Sequence, residues 1–191
     1  MIRVSGGRFK GRRLDLAPAV GTRPSSAKVR EALASAVGER WNGRVVADLF
    51  AGSGALGIEA LSRGALHTIF VELDPRAVRV LRSNLEGLGL GADEARVRRA
   101  DAWRWLAKLE RGELPQGQRP TVLLADPPYH PGILARLLPP LFRLVDSGAL
   151  ALCAVEHAAG QTELPPAPVG VGLRTRCHGR SAFSIVERVD P

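Results

Sequence analysis

Asp126-Pro127-Pro128-Tyr129 is the most chemically specific stretch of this 191-residue chain. It follows the apolar run 121–126, which reads as a buried strand. The carboxyl end of such a strand is where open α/β sheets bind ligands. Proline fixes φ and lacks an N–H donor. The loop therefore offers mainly acceptors, the Asp126 carboxylate and the Pro127 carbonyl, which together suit an NH₂ group. Tyr129 adds a flat face on which an extruded base can stack. The plainer alternative is a rigid turn with an incidental Asp.

A second constellation runs from Asp48 to Gly57, after the apolar stretch 45–50. Gly52, Gly54 and Gly57 let the backbone turn and approach a ligand, and their spacing also fits a dinucleotide fingerprint. Asp48 argues for a different ligand, since an acid there repels a pyrophosphate and pairs with the ammonium of an amino-acid moiety. Glu72, ending the next strand, suits ribose hydroxyls. Asp74 precedes Pro75 and is better placed to cap the following helix. Asp101 ends a third strand and can accept from an adenine N6 amine while Ala102 covers the ring, although it is also a good N-cap. Asp48, Gly52, Gly54, Leu56, Glu72, Asp101 and Ala102 are thus the candidate cofactor contacts. Trp103 and Trp105 read as core residues, Trp103 alternatively as a wall beside the adenine.

These residues need a scaffold that brings strand ends together. Residues 1–16 read as a short hairpin, with turns at Gly6-Gly7 and Lys10-Gly11. Arg23-Pro24-Ser25-Ser26 opens a helix with apolar positions Val29, Leu33, Ala36 and Val37. From residue 45 strands alternate with helices: strands over 45–50, 67–73, 95–100, 121–126 and 149–156, helices over 54–64, 75–88, 102–111 and 132–145. That alternation predicts an α/β fold, a parallel sheet with helices on both faces. The last two strands, 172–178 and 181–189, have no room for a helix between them and must form an antiparallel hairpin. The expected architecture is a seven-stranded, mostly parallel Rossmann-like sheet. Residues 1–42 are expected to be a basic extension and 43–191 the sheet domain.

Composition narrows the partner. The chain carries a formal charge of +8. Residues 1–30 hold eight basic side chains against one acid, and the remainder is nearly neutral. A basic arm on a neutral domain suggests a polyanion, with Arg8, Lys10, Arg12, Arg13, Arg23 and Arg30 as candidate contacts. A merely solubilising terminus is the alternative. No apolar run approaches the ~20 residues of a membrane span, and the first residues lack a signal-peptide core, so the protein reads as cytoplasmic. Cys153 and Cys177 make no disulfide framework, and Cys177-His178 cannot complete a four-ligand zinc site, so no metal is expected.

The four strand-end features together look like the Rossmann-type class I methyltransferases. Residues 3–14, the segment Arg23-Pro24-Ser25-Ser26 with Val29-Arg30-Glu31-Ala32-Leu33, and the stretch 48–65 resemble more narrowly the RsmD family of bacterial 16S ribosomal RNA guanine-N2 methyltransferases. The family usually has an acid where this chain has Ala27 and a Phe where it has Ala34. The resemblance covers nearly the whole chain. It implies S-adenosylmethionine as cofactor and, as substrate, one guanine of the 966 type in the RNA of the small (30S) subunit or its assembly intermediate, acted on by a monomer. It also implies Asp126, Pro127 and Tyr129 as catalytic residues. Readings that remain beside it are an adenine-N6, cytosine-N4 or glutamine-amide methyltransferase, an NAD-dependent oxidoreductase and a silent RNA-binding module.

Overall fold

The computed structural model describes residues 2–17, 27–160 and 164–189. Arg23 and the expected Ser25/Ser26 helix cap lie outside them. The amino-terminal hairpin pairs β1 (Ile2–Arg3) with β2 (Arg13–Leu14), antiparallel, around a 3₁₀ turn at Gly7–Phe9. Helix α1 (Ala27–Val37) follows. The alternating segment is β3 (Val45–Leu49), α2 (Ala55–Ser62), β4 (His67–Glu72), α3 (Pro75–Gly87), β5 (Ala95–Arg99), α4 (Ala102–Glu110), β6 (Val122–Ala125), α5 (Ile133–Asp146) and β7 (Leu152–Ala158). The closing hairpin is β8 (Val171–His178) and β9 (Ser181–Arg188).

The main sheet has seven strands in the order β5-β4-β3-β6-β7-β9-β8. Strands β3 to β7 are mutually parallel, while β9 runs antiparallel to β7 and to β8. Both expectations, a mostly parallel sheet and an antiparallel carboxyl-terminal pair, hold. The strand expected over 149–156 begins later, because Leu150 turns back to donate to the Leu144 carbonyl (3.0 Å) before the ladder starts. Pro139 and Pro140 stand inside α5. The helix persists there because its buried face (Leu134, Leu137, Leu138, Leu141, Phe142) outweighs the lost backbone bonds.

Side chains alternating along the strands feed two cores. Val46, Phe70, Val122 and Leu124 face α1, α2 and α3, whereas Ala47, Leu49, Ile69 and Leu123 face α4 and α5. The described part of the expected amino-terminal extension has no core of its own. Val4, Phe9, Leu14, Val29, Leu33 and Trp41 are buried within the first of these cores. The hairpin docks on α2 through Glu59, whose carboxylate accepts from Ser5 N (2.8 Å), Ser5 Oγ (2.6 Å) and Gly6 N (3.0 Å). Among the described residues, no helix is long and apolar enough to cross a membrane.

Candidate active site

The sheet order changes direction at β3, whose successors in the chain lie on one side (β4, β5) and on the other (β6, β7). A crevice opens outside the carboxyl ends of strands at such a switch point. Asp48, Glu72, Asp101 and Asp126 all stand at or just beyond those ends. The fold thus gathers four acids, scattered over 79 positions of sequence, along one edge of the sheet.

The β3–α2 turn is strained and tightly tied. Phe50, at φ 58°, is the one non-glycine with positive φ among the described residues, a conformation that costs of order 1–3 kcal/mol and clusters at functional sites. Gly52 also has positive φ, and a Cβ there would touch only the Phe50 carbonyl oxygen, at 4.0 Å, so a ligand can approach its backbone. Gly57 serves packing instead: a Cβ would lie 2.4 Å from Phe70 Cε1 and 3.0 Å from Asp48 Oδ2. Leu56 and Ala102 are buried core residues.

Asp48 is 1% exposed, and its Oδ2 accepts from Gly57 N (2.9 Å). Burial pushes its carboxyl well above the usual carboxylate range, and the negative charges of Asp126 and Glu72 push the same way. No cation stands beside it among the described residues. Glu72 is held by three backbone donors, Gly52 N (2.8 Å), Leu73 N (2.7 Å) and Asp74 N (2.8 Å). It therefore fixes the glycine turn as well as presenting oxygens at the crevice. Asp74 caps α3, as its place before Pro75 predicts. Asp101 Oδ1 caps α4 through Arg104 N (2.8 Å). Both readings of Asp101 stay compatible, because a carboxylate has a second oxygen. Trp103 is half-buried, edge-on to Phe50 (5.5 Å between ring centres), with the Arg136 guanidinium 4.0 Å above its ring.

Asp126 is half-buried, and its charge is felt by Asp48, Tyr129 and Arg30. No described N–H donates to the Pro127 carbonyl. Tyr129 is 37% exposed, so its ring is available while its hydroxyl is anchored. That hydroxyl lies 3.2 Å from Glu156 Oε1 on β7 and 3.2 Å from Ser181 Oγ at the start of β9. Burial raises the phenol's pKa, with Glu156 and Asp126 adding to the shift, so Tyr129 stays protonated and donates to Glu156.

Two residues of this arrangement were not foreseen, and a third was given a different role. Glu156 and Ser181 lie on strands whose pairing brings them to Tyr129, a juxtaposition with no local signature. Arg30 is the third, and here the expectation is corrected: it is not a surface contact for RNA but a buried residue, 1% exposed. Its Nη2 donates to the Arg3 carbonyl (3.2 Å), and its charge is felt with those of Glu59, Glu156 and Asp126. Burial lowers its pKa, and these three acids offset the shift. Arg30 thus serves as the internal counter-charge of the acids behind the loop. Arg8, Lys10, Arg12 and Arg13 are exposed. Two of them are engaged in docking, however: Arg8 pairs with Glu94, and Arg12 Nη2 donates to the Gly87 carbonyl (2.6 Å).

Known proteins resemble this chain in sequence and in fold. The family described as Conserved hypothetical protein 95 matches residues 2–186. Ribosomal RNA small subunit methyltransferase D of Escherichia coli (strain K12) is 33% identical over 195 aligned residues, covering 98% of this chain and 90% of that one. The structure of hypothetical protein TTHA0928 of Thermus thermophilus superimposes with a TM-score of 0.74 at 35% identity, covering 98% and 99% of the two chains. An RNA methyltransferase of Salinibacter ruber, solved with S-adenosyl-L-homocysteine, shares the fold (TM-score 0.60, 19% identity, 88% of this chain and 97% of that one). Matched along nearly its whole length in sequence and in fold, the chain belongs to the RsmD family.

Proposed function

We propose that this chain transfers the methyl group of S-adenosylmethionine to the exocyclic N2 of one guanine in 16S ribosomal RNA, within the small subunit or its assembly intermediate. Family membership supports the coarser statement, ribosomal RNA methylation with that cofactor. The observation that carries the finer one is the acceptor-rich loop Asp126-Pro127-Pro128-Tyr129, two of whose four residues lack an N–H, at the carboxyl end of β6, beside the switch-point crevice.

The residues present fit a cationic amino-acid cofactor. Asp48 is a buried acid with no cation beside it among the described residues, and an incoming ammonium would stabilise its charge. Glu72 and Asp101 would receive the ribose and the adenine amine. When bound, S-adenosylmethionine supplies a methyl group already activated by its sulfonium. The chain's own task is to make a poor nucleophile react. The N2 lone pair of guanine is delocalised into the ring. Asp126 and the Pro127 carbonyl accept the two N2 hydrogens, which draws the lone pair out of conjugation. Asp126 then stabilises the positive charge growing on nitrogen and takes the surplus proton. Tyr129, its hydroxyl held by Glu156 and Ser181, presents its ring for the base to stack on.

Asp126→Ala tests the assignment. Turnover should fall by about 10²–10³, the scale of losing a charged stabiliser of the transition state. Cofactor affinity by calorimetry should stay within a few-fold. Near-wild-type turnover would overturn the reading.

A further inference from the structure

The hairpin arginines that dock the arm are replaced, as free cations, by others the sequence does not single out. An open groove of about 580 Å³ runs along the outer face of α3 to the edge strand β5, lined by Pro75, Val78, Arg79, Arg82, Glu86 and Arg99 among others. Arg79 and Arg82 lie one turn apart on α3, ~5–6 Å between Cβ atoms. Arg99 comes from β5, whose outer edge no described strand pairs. All three are exposed. None has an ion pair or a side-chain hydrogen bond among the described residues, unlike Arg76, which Asp74 holds at 2.9 Å. The groove thus presents three arginines against one acid, Glu86. Arg12 reaches the Gly87 carbonyl at the end of the same helix, so the hairpin's exposed face continues from the groove. Three unpaired guanidiniums lining one open channel match the phosphates of a nucleic-acid backbone, which bind by charge and fork geometry without reading sequence.

We infer that the α3–β5 groove is a second contact surface for the RNA backbone, with Arg79, Arg82 and Arg99 as its phosphate ligands. This rests on the reading of the chain as an RNA methyltransferase. Strands lie ~4.8 Å apart, so β5, three strands from β6, puts the groove ~14 Å or more from Asp126. The surface would therefore hold the substrate RNA away from the reacting base and leave the chemistry untouched.

The test compares wild type with the double variant Arg79→Glu/Arg82→Glu and, separately, with Arg99→Ser. Binding of unmethylated small-subunit RNA is followed by filter binding across salt, and methylation of the same RNA by labelled cofactor. For the double variant, the expected results are a Kd and KM raised about tenfold or more, a salt slope shallower by ~1.5–2, and kcat at saturating RNA within twofold of wild type. Arg99→Ser should move Kd in the same direction by less. An unchanged Kd and salt slope in variants of an active enzyme would overturn the groove's role, as would a loss confined to cofactor affinity. A wild-type protein that neither binds nor methylates RNA would instead overturn the reading on which the inference rests.

Discussion

At the scale of single residues, the site depends on acids whose environments differ. Asp48 is kept reluctant to ionise by burial and by two neighbouring acids. A carboxyl with a raised folded pKa holds its proton more tightly folded than unfolded. Stability therefore falls as pH rises from the ordinary carboxylate value, ~3.9, through the raised one. Asp48→Asn keeps an oxygen for Gly57 N and removes that cost. It should raise Tm at pH 7, by ~2–4 °C for each kcal/mol gained, with the gain vanishing near pH 4, while cofactor affinity drops about tenfold or more. Calorimetry at the two pH values, with and without cofactor, measures both; a variant destabilised at pH 7 would contradict the argument. Tyr129 gives a second prediction. Tyr129→Ala should cost the ~1–3 kcal/mol of base stacking, seen mainly in RNA binding. Tyr129→Phe and Glu156→Gln, which loosen only the hydroxyl anchor, should cost less than tenfold; equal losses in Phe and Ala would show that the ring does not stack. The sequence made Asp126 and Tyr129 legible because proline beside an acid at a strand end constrains chemistry locally. It hid Glu156, Ser181 and the burial of Arg30 because those depend on β7–β9 pairing and on where α1 packs.

At the scale of elements, nearly every strand and helix could be read from apolar periodicity and turn residues. The misplaced start of β7 came from an apolar run, 149–151, whose first part turns back onto α5. What periodicity does not reveal is how elements are pinned to one another. Asn84, buried on α3, is an example. Its Nδ2 donates to the Asp15 carbonyl (3.0 Å) and to the Ser53 carbonyl (2.9 Å), and its Oδ1 accepts from Asp15 N (2.8 Å). One side chain thus joins the end of the amino-terminal hairpin to the glycine turn. Asn84→Ala leaves these groups unpaired and should destabilise by about 2–3 kcal/mol in urea unfolding. It should also weaken cofactor binding several-fold through the loosened turn. Loss of stability with cofactor affinity untouched would mean that the turn is fixed without it.

At the scale of the whole molecule, the charge asymmetry and the parallel sheet were both visible in the sequence. The expected division at residue 42 follows composition, and in packing the hairpin and α1 share one core with the sheet. Phe9→Ala, a buried hairpin position, should cost ~3–5 kcal/mol, as in any core, and a change below 1 kcal/mol would mean the hairpin merely rests on the surface. The proposed function turns on a loop of hydrogen-bond acceptors orienting an exocyclic amine. The most direct measurement is nucleoside mass analysis of small-subunit RNA, previously unmethylated, after incubation with labelled S-adenosylmethionine and either wild type or Asp126→Ala. The account predicts a single labelled product, N2-methylguanosine, formed by wild type and nearly absent with the variant. Label on a ring nitrogen, a carbon or a ribose hydroxyl would contradict it.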